Sequence, residues 1–199
     1  MKIKNKKNNK GFTLVEAMFA VFLLTFSITS LMSIVANSLF SARYARDEIT
    51  ANYLSQEVVD FVRNNRDTTV FLGTDPAKVG WATFKQKYIA CETTENGCSI
   101  DVRDGTQSLT VCNESATSGE LKCPYLYYNK NATGTTPFYT NDDKSGNIGK
   151  AKTNFKRKLL FKEIGEDEIE VTVTIEWKNG GVLKSRSLKT NLLNWQKNS

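Results

Sequence analysis

Hydrophobic and polar positions divide the chain into three differently patterned stretches. From Ala17 to Ala42 no charged residue occurs, and Ala17–Ala36 alone gives twenty mostly apolar positions. At ~1.5 Å per residue, twenty helical residues cross a ~30 Å hydrocarbon core. Residues 37–66 hold no Pro or Gly and end in Arg63-Asn64-Asn65-Arg66. There the apolar residues take helical spacing: Phe40, Tyr44, Ala51, Leu54, Val58, Phe61 and Val62 fall within one arc of about 100°. The stripe is clean from Ala51 to Val62. Nearer the apolar run it is interrupted by Arg43 and Asp47, an i,i+4 pair on the same face. The pattern predicts one helix over 12–66, roughly 80 Å long. Below about residue 50 it stands as a stalk, and above that it packs on a globular body.

Strand periodicity appears late. Glu168-Ile169-Glu170-Val171-Thr172-Val173-Thr174-Ile175-Glu176-Trp177 alternates strictly, with Ile169, Val171, Val173, Ile175 and Trp177 on one face. Asn179-Gly180-Gly181 supplies a turn, and Val182–Leu193 returns as partner. Phe155–Ile164 is a further strand, with Phe155, Leu159 and Phe161 on one face. An antiparallel sheet over 153–195 with one apolar face needs cover, and the stripe Ala51–Val62 provides it. The fold class expected is α+β: a long N-terminal helix whose upper half lies on an antiparallel sheet.

Between these stretches the signals are weaker. In 67–90, Asp75-Pro76 reads as a helix cap followed by Pro at the first helical position. Val79, Trp81, Phe84, Tyr88 and Ile89 give that short helix a mixed apolar face, with core packing the role expected of Trp81. In 91–150, Ser99–Arg103 and Ser108–Cys112 read as a hairpin around Asp104-Gly105, Tyr125–Tyr128 as a third strand, and Asn129–Lys150 as an exposed, turn-rich loop.

Charge adds an address and no binding surface. Five of the first ten residues are Lys, and 22 of the 27 basic residues remain beyond residue 11, against 21 acidic ones. The basic balance of the whole chain therefore lies in its leader. A Lys-rich leader before an apolar span stays cytoplasmic and sends the C-terminal part outward. Cys91, Cys98, Cys112 and Cys123 are separated by six, thirteen and ten residues. A four-cysteine zinc site wants closer pairs, so disulfides fit better in an exported body. Three pairings are possible, and Cys91–Cys98 with Cys112–Cys123 closes the shortest loops. The chain has no His. A Ser-His or Cys-His nucleophile pair therefore cannot form. Glu166-Asp167-Glu168 and Asp142-Asp143 could be imagined as paired carboxylates, but each reads better as a solvated turn. No enzyme activity, cofactor or metal is expected.

The chain's organising stretch is Lys10-Gly11-Phe12-Thr13-Leu14-Val15-Glu16, which joins the leader to the apolar run. Glu16 is the single charge between Gly11 and Ala42. An acid at the centre of a membrane helix costs roughly 2.5–3.5 kcal/mol, so its presence at the edge needs a reason. Gly-Phe-Thr-Leu-Val-Glu followed by about twenty apolar residues closely resembles the prepilin signal of type IV pilins and type II secretion pseudopilins. The resemblance is specific over 1–36 and weakens to about residue 66. A plain signal anchor, or a secretory signal cut near Ala36-Asn37-Ser38, predicts neither Glu16 nor the Gly-Phe junction.

The resemblance implies a domain plan and a life cycle. Residues 1–11 would be a cytoplasmic leader removed by a prepilin peptidase between Gly11 and Phe12, with N-methylation of Phe12. Residues 12–36 would be the transmembrane and assembly half of the helix, 37–66 its exposed half, and 67–199 a pilin-like globular domain with 91–150 as its variable, disulfide-containing region. Glu16 would pair with the new Phe12 amine during assembly. The partners implied are other pilin subunits, the peptidase, an ATPase-driven assembly platform and the inner (cytoplasmic) membrane, with an extracellular filament as the final location. Major type IV pilins commonly carry Pro or Gly in the first half of the helix. None occurs between Phe12 and Leu72, which leans towards a minor pilin or pseudopilin. The alternatives are a tip subunit that binds DNA or a surface, and a signal-anchored extracytoplasmic enzyme. Lys130, Tyr139, Lys144, Lys150 and Lys152 are the residues a nucleic acid would use.

Overall fold

A computed structural model describes residues 11–73, 75–92, 95–102, 109–129, 138–141 and 150–198. Helix α1 spans Leu14–Phe71, five residues beyond the end expected at Arg66. Nothing from Asp67 to Phe71 breaks a helix, and Arg66 is held by Asp67 beside it, with Nη2 2.7 Å from Oδ1. The chain forms two compact units, Met1–Ala45 and Arg46–Ser199.

In the first unit every described side chain is exposed. In the second, α1 buries Ala51, Leu54, Ser55, Val58, Val59 and Val62. The expected stripe is thus centred correctly but rotated slightly: Ser55 and Val59 join it, and Phe61 is only partly buried. Ser55 enters the core at little cost because its hydroxyl donates to the Ala51 carbonyl at 2.9 Å. Full burial of a Val or Leu is worth about 1.5–3 kcal/mol, so this face alone anchors the upper helix.

After α1, Asp75 caps a single π-helical turn, Pro76–Gly80, through Oδ1, which accepts from the Lys78 amide at 3.2 Å. Helix α2 follows over Trp81–Glu92 and buries Trp81, Phe84, Tyr88 and Cys91. Val79 and Ile89, expected on the same face, are exposed. Trp81 packs in the core and donates its indole N–H to the Glu166 carbonyl at 2.8 Å. Tyr88 stacks on Phe161, with ring centroids 4.4 Å apart.

The strands are β1 Cys98–Ile100, β2 Leu109–Val111, β3 Tyr125–Asn129, β4 Phe138–Thr140, β5 Lys150–Gly165, β6 Glu168–Asn179 and β7 Val182–Leu193, all in one seven-stranded sheet. The expected C-terminal three-stranded sheet is therefore its larger part, and the 91–150 region adds four short strands. β1 and β2 pair antiparallel as expected, though their connecting turn at Asp104-Gly105 lies outside the described residues. β4 is a correction: Asn129–Lys150 contains a strand, because Phe138 and Tyr139 pair with Asn129 and Tyr128.

β5 is the hub. Lys156 faces Tyr125 of β3 on one side and Glu176 of β6 on the other. Leu159 likewise faces both Cys98 of β1 and Val173 of β6. β1 and β3 therefore share one long edge of β5, and β6 takes the other. The core face of β5 reads Phe155, Arg157, Leu159, Phe161, and that of β6 reads Ile169, Val171, Val173, Ile175, Trp177. Gly180 and Gly181 both have positive φ, the two-residue hairpin turn that right-twisted strands prefer. Gly97 is fixed by space: a Cβ there would lie 2.5 Å from the Leu159 carbonyl oxygen.

Cys91 is bonded to Cys98, and Cys112 to Cys123. The first bond ties α2 to β1, and the second closes the loop before β3. Loops of this size contribute about 2–4 kcal/mol per bridge. Thiol labelling of unfolded, unreduced native protein is expected to find no free sulfhydryl. Four labelled cysteines would show that the bonds do not form.

Candidate assembly and processing site

The junction is built from local helix chemistry. Gly11, Phe12 and Thr13 precede the helix and are exposed, and α1 begins at Leu14. Thr13 is its N-cap: Oγ1 accepts from the Glu16 amide at 3.3 Å, and the Thr13 carbonyl accepts from the Ala17 amide at 3.1 Å. Glu16 occupies the third helical position, where a carboxylate is favoured by the helix dipole. Thr13-x-x-Glu16 is the sequence form of a capping box, and that signal went unread. It gives Glu16 a second physical reason to stand there. In the unprocessed chain Phe12 N is a peptide nitrogen, so an ammonium partner for Glu16 arises only on cleavage.

The run behind Glu16 is a continuous apolar surface. Met18, Phe19, Phe22, Leu24, Phe26 and Leu31 are all more than half exposed. α1 contains an 18-residue window of mean hydropathy 2.2, with none of it buried. Four hydroxyls in this run are satisfied inside the helix. Thr25 Oγ1 donates to the Phe22 carbonyl at 2.9 Å, Ser27 to Leu23 at 2.7 Å, Thr29 to Thr25 at 3.0 Å and Ser30 to Ser27 at 2.8 Å. Each of these four side chains thereby loses little when water is removed.

Two polar clusters in the second unit escaped the sequence. Arg157 is fully buried, with Nη1 2.9 Å from Glu57 Oε2 and Nη2 donating to the Ile100 carbonyl at 2.7 Å. Burial lowers its pKa, and the neighbouring Glu57 carboxylate opposes that. It is the pin between helix and sheet. The second cluster fastens the loop closed by Cys112–Cys123. Glu120 contacts Lys178 Nζ at 2.6 Å and Lys156 Nζ at 3.5 Å. The Leu121 amide donates to Glu176 at 3.0 Å, and Lys156 donates back to the Leu121 carbonyl at 2.8 Å. The Lys178 hydrogen bond holds the Glu120 carboxyl below the usual carboxylate range, and Glu120 raises Lys178 in turn. Glu176 is pushed up by burial. No spacing rule marks these residues, because each contacting pair is separated by 35 to 100 positions.

Of the residues considered for nucleic acid, three are described, and Lys150 among them opens β5 opposite Asn129. Lys130 and Lys144 lie outside the described residues, as do Asp142 and Asp143. Tyr139 faces Tyr128 and packs edge-on to Phe155, on the core side. Lys152 faces Tyr127, on the other side. Glu166 and Asp167 connect β5 to β6, which begins at Glu168: Asp167 Oδ1 accepts from Asn194 Nδ2 at 3.1 Å and Glu168 Oε1 from Asn191 Nδ2 at 2.7 Å.

Residues 6–32 match the family model described as the prokaryotic N-terminal methylation motif. No curated protein and no solved structure matches the chain. The motif implies processing by a prepilin peptidase and assembly with other pilin subunits, and with the apolar helix behind it, a membrane-anchored protein. From its basic leader through the capped start of α1, this chain carries the prepilin signal of type IV pilins and pseudopilins.

Proposed function

We propose that the chain is a structural subunit of a type IV pilus-like filament, a minor pilin or pseudopilin, and not an enzyme. The observation that carries this is the uncharged, exposed apolar helix surface that begins within the methylation motif and runs on beyond it. Such a surface requires either lipid or the same surface on a neighbour. The peptidase cuts between Gly11 and Phe12, and Phe12 is methylated. The body lies outside the cytoplasm, where the two disulfides form. An ATPase-driven platform then moves the helix from lipid into the filament, where neighbouring helices bury it. Intact-mass analysis of native protein is expected to give a chain starting at methylated Phe12. A chain starting at Met1, or after Ser38, sinks this reading.

A second reading, a tip subunit that binds nucleic acid, is favoured by one arrangement on the outer face of the sheet. Lys152 lies opposite Tyr127, with Nζ 4.2 Å from the centroid of the Tyr125 ring. A gel shift that weakens with salt, and that Lys152→Glu abolishes, supports it; no shift at low salt rejects it.

A further inference from the structure

The β6–β7 hairpin carries solvent-exposed apolar side chains at both ends. Its ladder runs from Glu168 opposite Leu193 to Asn179 opposite Val182. Twelve pairs at ~3.3 Å per step separate those ends by about 36 Å. At the turn, Val182 is 55% and Leu183 36% exposed. At the open end Leu193 is exposed and its carbonyl accepts from Arg66 Nη1 at 3.5 Å. Trp195, also exposed, donates to Asp67 Oδ1 at 3.4 Å. Phe71 lies one helical turn beyond Asp67 on the same helix face, 72% exposed. The hairpin's open end and the last turn of α1 thus share one apolar surface.

The ends differ in charge. Among the described residues, the open end holds Asp67, Asp75, Glu166, Asp167 and Glu168 against Arg66, Lys78 and Lys197. The turn end holds Lys156, Lys178, Lys184 and Arg186 against Glu48, Glu120 and Glu176. We propose that the turn of one copy seats on the open end of a second copy, with Val182 and Leu183 against Phe71 and Trp195. A symmetric contact would set carboxylates against carboxylates, or lysines against lysines. A head-to-tail contact sets opposite charges together. Edge-to-edge pairing of β7 is disfavoured by Lys184, Arg186 and Lys189 along that strand. A head-to-tail contact leaves one end of each copy unused, so wherever its rotation does not close a ring it adds copies in one direction, as a filament requires. It rests on the motif's implication of assembly with pilin subunits, and it goes beyond the helix packing proposed above.

The test is photocrosslinking of the full-length protein, in its membrane and in sheared filaments, with a benzophenone side chain at position 71. The expected adduct joins position 71 to residues 182–184 of a second copy. Leu183→Glu should remove it. Val111→Glu, which charges an exposed apolar residue at neither end, should leave it. An adduct between two copies of position 71, an adduct to a different protein, or no adduct overturns the proposal. An adduct at 182–184 in membranes that yield no filaments keeps this contact and overturns the filament reading.

Discussion

Glu57→Ala is expected to destabilise the body by about 3 kcal/mol, the lower end of the ~3–5 kcal/mol typical of breaking a buried ion pair. The lower end applies because Glu57 keeps 37% of its side chain in solvent, whereas Arg157 has none. Removing Glu57 leaves a guanidinium in the core with one hydrogen bond, to Ile100. Arg157→Met is expected to cost less, about 1–2 kcal/mol, because it removes the desolvated charge and leaves only the Ile100 carbonyl short of a donor. The double variant should therefore be more stable than Glu57→Ala alone, a sign that simple loss of contacts cannot produce. The readout is thermal unfolding followed by tryptophan fluorescence, since Trp177 sits in the same core. A loss of about 3 kcal/mol lowers Tm by roughly 6–12 °C in a chain of this size. If Glu57→Ala unfolds with the wild type, the pin is not a pin.

The same residue shows where sequence reading stops. β5 has the plain pattern Phe155, Leu159, Phe161 on one face, and that face was legible. Alternation puts Arg157 on it too, although a guanidinium would ordinarily be turned to solvent. It faces inward because Glu57, a hundred residues earlier, supplies the opposite charge, and no local pattern encodes that meeting. β6 was readable from end to end because one side of it is apolar at every second position and its turn is Gly-Gly. β4 was hidden because Phe138-Tyr139-Thr140 is three residues long and surrounded by turn formers. It is a strand only because β3 offers it an edge. The Glu120, Lys156, Glu176 and Lys178 cluster was hidden for the same reason as Arg157. At the N-terminus the reverse held: all of the candidate site lies within a few residues, so Gly11, Phe12 and Glu16 stood out. Only the cap at Thr13 went unread.

Glu16→Ala should leave leader cleavage and membrane insertion intact and sharply reduce entry into filaments. After cleavage the Phe12 amine is a positive charge at the start of an apolar helix, one turn before Glu16. When lipid and water are replaced by neighbouring helices, both charges lose solvation. Either alone is then costly, and pairing between adjacent subunits relieves both. Removing one partner of such a buried pair typically costs ~3–5 kcal/mol. The cap introduces a competing effect. Glu16 also stabilises the first turn of α1, a contribution of about 0.3–1 kcal/mol that Ala loses as well. That is too small to block assembly, and three further variants separate the causes. Glu16→Gln keeps the shape and removes the charge, so it should fail as Ala does. Glu16→Asp keeps the charge and the dipole interaction with a shorter reach, so it should be intermediate. Thr13→Ala removes the cap and leaves the charge, so it should assemble close to wild type. The measurement compares protein in sheared filaments with protein retained in the membrane. Wild-type filament entry by Glu16→Ala or Glu16→Gln means no pairing occurs. Failure of Thr13→Ala alone assigns Glu16 to the helix start and not to the neighbouring subunit.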